Sequence, residues 1–235
     1  MAAHELRTPV TVLRTCTQLL AREVAKPGDL DRRELQAEVE ALDRQTNKLV
    51  RLLSQLLKMG SFESGKFILD RQMTNVVRIV HEVVADYALT PEQPHLYVAA
   101  AQIADALVDA LRLEEVLRNL LDNAIKFSPQ GSDIDIQLTA DTDVIRLAVR
   151  DRGVGVPLER RSQIFERYQQ GHSDSRRSGL GLGLYICRQI IEAHGGWIEA
   201  EFPVDGGSRF VVTLPTSTFE TGAFVLRPEP ARRQG

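Results

Sequence analysis

The stretch LRNLLDNAIKFSP (117–129) places two amides and an ammonium on one predicted helix. Asn119 and Asn123 are four residues apart, so both lie on the same helix face, and Lys126 follows within the next turn. Amide oxygens and an ammonium along one line suit Mg²⁺ and phosphate. The alternative is that the asparagines form only the polar side of an amphipathic helix whose apolar side includes Leu120 and Leu121.

Two glycine-containing segments follow, DRGVGVP (151–157) and SGLGLGLYI (178–186). The first places Asp151 shortly before Gly153 and Gly155. The second has three glycines directly before a helical run, at Gly179, Gly181 and Gly183. Glycines in this position let backbone N–H groups approach an anion at a helix N-terminus. Taken singly, each segment is weak evidence for a nucleotide, because Gly-x-Gly is often only a turn.

Around these segments the sequence mixes helices with short alternating strands. Helical periodicity covers 76–87 and 184–194. Alternation predicts strands at 133–140 and 144–151, and in WIEAEF (197–202) and SRFVVTLP (208–215). These elements predict an α+β domain of about 150 residues. The final stretch is rich in Thr, Pro and Arg without a period, so we expect it to be poorly ordered.

The first part of the chain carries two heptad seams, in which seam residues recur at alternating spacings of three and four. The first seam consists of Leu6, Val10, Leu13, Thr17, Leu20 and Val24. The second seam consists of Leu35, Val39, Leu42, Thr46, Leu49, Leu53 and Leu56. KPGD (26–29) separates them, which predicts an antiparallel helical hairpin. A lone hairpin cannot bury both seams, so we expect a homodimer with a symmetric four-helix bundle.

Composition excludes several classes of function. The 235 residues are 43% hydrophobic and 26% charged, as in a globular protein of one large or two modest domains. The 29 basic and 32 acidic residues are interspersed and give a net charge of −3, which predicts neither a nucleic acid nor a membrane as a partner.

Cys16 and Cys187 stand outside any metal-binding spacing, so we interpret both as packing residues. Without a membrane span of about 18 apolar residues or a signal peptide, we expect a cytoplasmic protein.

Taken together, 117–129, 151–157, IFERYQQG (164–171) and 178–186 closely resemble the N, G1, F and G2 boxes of the sensor histidine kinases. HELRTP (4–9) resembles the phospho-acceptor H box of the same family. The resemblance implies a dimerisation and histidine-phosphotransfer hairpin, followed by a catalytic ATP-binding domain of the Bergerat type. That domain is an α/β sandwich shared with gyrase-like ATPases. We therefore expect a hairpin at 1–64, an ATP-binding domain at 65–216 and a disordered tail at 217–235.

The resemblance also implies roles for individual residues. Asp151 accepts a hydrogen bond from the adenine amino group of ATP, beside the glycines of its box. Asn123 holds Mg²⁺, while Asn119 and Lys126 lie near the phosphates. The segment 165–180 forms a mobile lid over the nucleotide.

The H box can be interpreted physically. Position 4 lies beside a seam position, so His4 is expected to point outward, where a second domain can deliver a phosphoryl group in line. Glu5 can accept the Nδ1 proton of the imidazole and so raise the nucleophilicity of Nε2. Pro9 removes the hydrogen bond to the Glu5 carbonyl and is expected to loosen that turn. By resemblance, the Thr8 hydroxyl orients a water during hydrolysis of the phosphorylated partner.

We therefore expect ATP-dependent autophosphorylation of His4 and transfer of the phosphoryl group to an aspartate of a response regulator receiver domain. The resemblance is also compatible with phosphatase activity toward that regulator. Two rival functions remain. A Bergerat-type ATPase carries a Glu at the position of Asn119 to activate water, and an amide cannot serve as that base. A non-catalytic, nucleotide-binding dimeric scaffold is disfavoured because His4, Glu5, Asn123 and Asp151 are all present.

Two features depart from the family pattern. Only three residues precede His4, whereas the family's first helix normally continues upstream, so we expect a fragment of a longer protein that could be membrane-anchored through its upstream part. Many relatives carry a lid arginine at the position of Gln170. Another cation must then stabilise the transition-state charge, and the candidates are Arg167, Arg176 and Arg177.

Overall fold

The computed structural model describes residues 2–25, 32–64, 67–88, 95–169 and 180–216. Within these ranges the helices are α1 (Ala2–Ala25), α2 (Arg32–Glu63), α3 (Val76–Ala88), α4 (Ala110–Phe127) and α5 (Gly183–Ala193). The strands are β1 (Gln72–Asn75), β2 (Leu96–Ala100), β3 (Asp105–Val108), β4 (Ile134–Ala140), β5 (Val144–Arg150), β6 (Trp197–Glu201) and β7 (Arg209–Pro215). A short 3₁₀ helix covers Leu158–Gln163.

The predicted hairpin is confirmed, since α1 and α2 are long amphipathic helices that pack along each other. Helix α1 continues through Pro9, whose side chain is buried. Cys16 is 7% exposed and Leu52 is 5% exposed, so the inner face of the hairpin includes residues outside the predicted seams. The interpretation of both cysteines as packing residues is confirmed, because Cys16 and Cys187 are free thiols and buried.

The seams divide between two faces of the hairpin. Seam residues such as Leu13 and Leu49 are partly buried within the chain. Every second member of the second seam is exposed instead. Val39 and Leu53, which are two heptads apart, are 52% and 45% exposed. The two apolar positions of a heptad face different neighbours in a bundle, so a single hairpin covers only one of them.

The predicted α/β sandwich is also confirmed. Its five-stranded sheet has the order β2-β4-β5-β7-β6, in which β2 runs parallel to β4 and the other pairs are antiparallel. Helices α3, α4 and α5 pack on this sheet through one continuous apolar core. Alternation along β4 places Ile134, Ile136 and Leu138 in that core, with exposures of 0%, 1% and 1%.

The predicted helices and strands of the second domain are all present, but the sequence analysis missed β1, β2, β3 and the 3₁₀ helix. Strands β1 and β3 form a two-stranded antiparallel sheet in which Gln72 pairs with Val108. Each has four residues, and β1 (QMTN) is mostly polar and exposed, so alternation gives no usable signal.

The end of the hairpin contacts the sandwich. Lys58 forms an ion pair with Glu115 of α4. The Tyr168 hydroxyl donates to the Met59 sulfur over 3.4 Å. The domain boundary at 64 stays a prediction, and the tail at 217–235 lies outside the described residues.

Candidate functional site

Helix α4 carries its two amides beside the face that packs on the core. Asp109 caps its N-terminus, since Oδ1 accepts a hydrogen bond from the Arg112 backbone N–H over 3.2 Å. The buried side of the helix consists of Leu113, Val116, Leu117, Leu120, Leu121 and Ala124. Asn119 and Asn123 are therefore half-buried at the edge of the core. The helix is amphipathic, as the simpler interpretation required, but its polar side also faces another predicted segment.

That segment is the glycine run before α5. The Asn119 Nδ2 donates to the Glu115 carbonyl over 3.0 Å, which fixes the orientation of the amide. Its Oδ1 lies 3.3 Å from the place that a Cβ on Gly183 would occupy. Gly183 is the first residue of α5, so the amide lies at the N-terminus of that helix. A helix N-terminus beside an amide oxygen and donor is suited to holding phosphate and its metal ion.

Asp151 follows directly after β5 and is 4% exposed. Its Oδ1 accepts hydrogen bonds from the backbone N–H of Gly153 over 2.8 Å and of Ser208 over 3.2 Å. Burial raises the pKa of this carboxyl, while the two backbone hydrogen bonds and Arg150 act in the opposite direction. Because both N–H groups donate to Oδ1, the carboxylate has a fixed orientation in which Oδ2 is available to a further donor.

Three glycines let the end of α4 and the loop before β7 approach the Asp151 segment closely. A Cβ on Gly153 would lie 2.4 Å from the Phe127 carbonyl oxygen, so the end of α4 leaves no room for a side chain there. A Cβ on Gly207, where φ is +75°, would lie 2.0 Å from the Asp151 carbonyl oxygen. Gly155 lies against the same loop, with its Cβ position 3.1 Å from the Gly207 carbonyl oxygen. The structure therefore brings the N-box helix and the Asp151 segment together.

The described ends of the predicted lid also meet. A Cβ on Gly181, where φ is +65°, would lie 2.4 Å from the Gln169 carbonyl oxygen. Tyr168 has a φ of +62°, which is uncommon for a residue with a side chain. The predicted site residues Gly179, Arg176 and Arg177, and also Gln170, lie outside the described residues.

Two of the predicted cations lie over aromatic rings. The Lys126 Nζ is 5.0 Å from the centroid of the Phe127 ring, in the last turn of α4. The Arg167 guanidinium is 4.9 Å from the centroid of the Tyr185 ring on α5. Such cation–π contacts fix the side chains at the rim of the site but leave their charge at the surface.

The predicted phospho-acceptor residues lie at the start of the hairpin. His4 and Glu5 belong to α1, but their side chains are outside the described part of the chain, so the outward orientation of His4 stays a prediction. Thr8 is exposed on the same helix.

The donor set fits a magnesium ion bound partly through phosphate. Among the described residues no group of three or more His, Cys, Asp or Glu side chains could hold a metal. Mg²⁺ often uses one or two protein oxygens together with phosphates and water, and the amide oxygen of half-buried Asn123 suits that role. Of the helices in the described ranges, none is long and apolar enough to cross a membrane.

Ser208 and Gly207 are site residues that the sequence analysis missed. The Ser208 N–H donates to the Asp151 carboxylate, and its carbonyl accepts from the Asp151 N–H over 2.9 Å. Ser208 is 4% exposed. The paired glycines of DGGSR (205–209) before a predicted strand were the available signal, because such a pair indicates a close backbone approach.

Two family descriptions match the chain. Residues 108–218 match the family described as histidine kinase-, DNA gyrase B-, and HSP90-like ATPase. Residues 1–65 match the His Kinase A (phospho-acceptor) domain.

Similar proteins include histidine kinases of two bacteria. The chain is 29% identical to the sensor histidine kinase WalK of Bacillus subtilis, over 91% of this chain and 35% of WalK. It is 34% identical to the signal transduction histidine-protein kinase/phosphatase MprB of Mycolicibacterium vanbaalenii, over 98% of this chain and 46% of MprB. The chain thus spans less than half the length of these relatives.

A solved structure shares the fold. Histidine kinase ThkA in complex with response regulator protein TrrA superposes with a TM-score of 0.67 at 24% identity, covering 91% of this chain and 59% of that one. This likeness includes both the hairpin and the sandwich.

Proposed function

The chain belongs to the histidine kinases, and we propose that it transfers the γ-phosphoryl group of ATP to His4 and then to an aspartate of a response regulator. The observation that carries this proposal is the convergence of α4, the Asp151 segment and the N-terminus of α5 on one site. The phospho-acceptor match at 1–65 supplies the second half of the reaction.

The sandwich binds ATP through groups with distinct roles. The Asp151 carboxylate accepts a hydrogen bond from the adenine amino group, and the close packing of Gly153 and Gly155 shapes the adjoining wall. Asn119 and Lys126 lie toward the phosphates. The backbone N–H groups near Gly181 and Gly183, with Gly179 before them, attract the phosphate charge at the start of α5.

Asn123 is the residue that would hold Mg²⁺, which would neutralise phosphate charge during transfer. Its position one turn after Asn119 places it along the same helix face.

His4 acts as the nucleophile. Its Nε2 attacks the γ-phosphorus in line, a new N–P bond forms, and the bond to the bridging oxygen of ADP breaks. Glu5 holds the proton on Nδ1, so the lone pair of Nε2 points at the phosphorus. Thr8, exposed one turn further along α1, orients the water that hydrolyses the aspartyl phosphate of the regulator, which releases inorganic phosphate.

A lid cation stabilises the charge that develops on the γ-phosphoryl group. Arg176 and Arg177 are better placed in the sequence than Arg167, because they directly precede the glycines that cover the phosphates. Arg167 lies over the Tyr185 ring, which restrains it near the base of the lid.

The working form is a homodimer. Val39, Val50, Leu53 and Leu57 form an exposed apolar stripe along α2, with exposures of 52%, 55%, 45% and 76%. A second copy can cover this stripe in a four-helix bundle, which satisfies the seam positions that one chain leaves open.

The reaction partner is a response regulator receiver domain, and neither a nucleic acid nor a membrane contacts this part of the protein. MprB is named as both a kinase and a phosphatase, which supports the same pair of activities here. A cytoplasmic location provides both ATP and the regulator. The predicted boundary at 64 separates the part that carries His4 from the part that binds ATP, which ends at 216.

Incubation of the chain with ATP labelled on the γ-phosphate, in the presence of Mg²⁺, tests the proposal. The expected product is protein-bound label that is released by acid and retained in base, as a phosphoramidate requires. Release of free phosphate alone would indicate an ATPase. Binding without either product would indicate a scaffold.

A further inference from the structure

His194 joins the two helices that carry the site, at the ends farthest from it. Helix α4 begins beside Asp109, and α5 ends next to His194. Asn119 lies instead against Gly183 at the other end of α5, about 16 Å away at 1.5 Å per residue. His194 therefore cannot touch a nucleotide bound at Asn119.

The buried ring of His194 makes two hydrogen bonds, one to each helix. It is 3% exposed. The Asp109 backbone N–H donates to Nε2 over 3.0 Å, and Nδ1 lies 2.8 Å from the Ile190 carbonyl oxygen. Because Nε2 must accept and a carbonyl can only accept, the neutral ring carries its proton on Nδ1.

The linker from the hairpin reaches the same point. The Asp70 backbone N–H donates to the Asp109 Oδ2 over 3.0 Å. The Arg71 guanidinium donates to the Ala193 carbonyl, one residue before His194. The linker, the start of α4 and the end of α5 are thus held together through His194 and Asp109.

We propose that His194 is a positioning residue of the nucleotide site, whose neutral ring sets the start of α4 against the end of α5 and so fixes the spacing of Asn119 and Gly183. This inference rests on the proposed function, because it concerns the same nucleotide site. Nothing in the ring's contacts serves the chemistry directly, so its effect is on nucleotide affinity through helix position.

Protonation of the His194 ring breaks the hydrogen bond that holds the start of α4 against the end of α5. An imidazolium has no acceptor, so the Asp109 N–H loses its partner and faces a second donor. Burial and Arg71 lower the pKa of His194, while its bond to the Ile190 carbonyl and the Asp109 carboxylate act in the opposite direction. The Asp70 backbone N–H bonds to the Asp109 carboxylate, and the end of β7 contributes uncharged Pro215 beside Gly195. The ring is therefore neutral at pH 7.

Two amide variants of the full chain separate the two hydrogen bonds. The longer side chain of His194→Gln can present its oxygen to the Asp109 N–H in place of Nε2. The shorter side chain of His194→Asn can replace only the Nδ1 donor. We expect His194→Asn to weaken binding of a non-hydrolysable ATP analogue about tenfold, because binding must then restore the spacing of the two helices, and His194→Gln to retain most of the affinity. His81→Asn, at an exposed histidine of α3, is the control and should bind as the original chain does.

The pH dependence of the affinity for the ATP analogue distinguishes this positioning role from a role in folding alone. The affinity of the original chain should fall as the pH drops below about 6.5, the ordinary pKa of histidine. Protonation of Asp151 contributes to the same fall, but it is common to both chains. The affinity of His194→Gln should therefore fall less steeply as the pH is lowered. The difference between the two chains is due to protonation of His194.

Equal loss of affinity in the Asn and Gln variants, or no loss in either, would overturn the proposal. If His194→Asn does not fold, identical pH profiles for His194→Gln and the original chain would overturn it instead. Failure of the proposed function is distinguishable, because the original chain would then form no phosphohistidine, whether or not it binds the ATP analogue. Amide hydrogen exchange at residues 109–113 would still test the role of His194, with faster exchange expected in the Asn variant than in the Gln variant and equal rates contradicting the proposal.

Discussion

The hairpin and the sandwich differ in how much apolar surface they bury within one chain. In the sandwich, Leu120 and Val212 are 0% exposed, whereas in the hairpin Val39 is 52% and Leu57 is 76% exposed. The candidate nucleotide site lies in the region whose core is complete within one chain, and the predicted nucleophile lies in the region that leaves part of its apolar surface exposed. We therefore expect nucleotide binding to be a property of one chain, and phosphoryl transfer to depend also on assembly of the hairpin.

The largest effect is expected from His4→Gln, which should change phosphorylation but not nucleotide binding. The substitution removes the nucleophile from the hairpin and leaves the sandwich unchanged, so phosphorylation should be lost completely while ADP affinity stays the same. Isothermal titration with ADP and labelling with ATP measure the two properties on one preparation. Phosphohistidine retained in the variant would contradict the assignment of His4.

Leu57→Asp tests whether the hairpin needs a second copy. Burial of a leucine contributes about 1.5–3 kcal/mol, and symmetry counts it twice, so the dissociation constant of the dimer should rise at least about a hundredfold. Leu158→Asp is a matched control in the sandwich, because Leu158 is 77% exposed and Leu57 is 76% exposed. If sedimentation analysis finds the same dimer affinity in both variants, the Leu57 side of α2 does not form the interface.

Asp151→Asn tests the fixed site of the sandwich. An amide is a weaker acceptor than a carboxylate, so affinity for an ATP analogue should fall about 10- to 100-fold, the scale of a hydrogen bond to a charged group. Burial raises the pKa of Asp151, so the ionised carboxylate lowers the stability of the fold at pH 7, and this cost disappears only when the carboxyl is protonated at low pH. The free energy of unfolding at pH 7, measured in urea, should therefore not fall. Unchanged affinity in isothermal titration would show that another group reads the adenine.

The smallest of these effects is expected in the lid. Replacing Arg176 and Arg177 together with Ala should slow autophosphorylation at saturating ATP by about tenfold, because the cation stabilises charge mainly in the transition state. The affinity for ADP should change little. Arg146→Ala, at an exposed arginine of β5, is the control. A double variant that works at the original rate would leave Arg167 as the candidate.

The sequence predicted the parts of the fold that repeat a pattern over many residues. Heptad spacing predicted both helices of the hairpin, and the amphipathic pattern around Leu120 predicted α4. It also singled out segments that the structure brings together, since Gly153 and Gly183 both lie against α4. Those predictions came from the resemblance of several motifs in order, because each motif alone was ambiguous.

The sequence did not predict contacts that depend on tertiary structure. The hydrogen bond between Asp109 and His194 spans 85 residues and has no local pattern. The bond of Ser208 to Asp151 spans 57 residues, and a serine after two glycines indicates only a turn by itself. The exposed half of each seam could not be identified either, because spacing alone does not say which neighbour covers a residue.

The central claim is that ATP held by the sandwich phosphorylates the hairpin at His4. The direct measurement is mass-spectrometric localisation of the phosphoryl group in the chain after reaction with ATP and Mg²⁺, with digestion kept at alkaline pH to preserve phosphohistidine. We expect the modification on the peptide that contains His4, and its loss after brief acid treatment. An unmodified His4 peptide together with an acid-stable phosphoryl group elsewhere would contradict it.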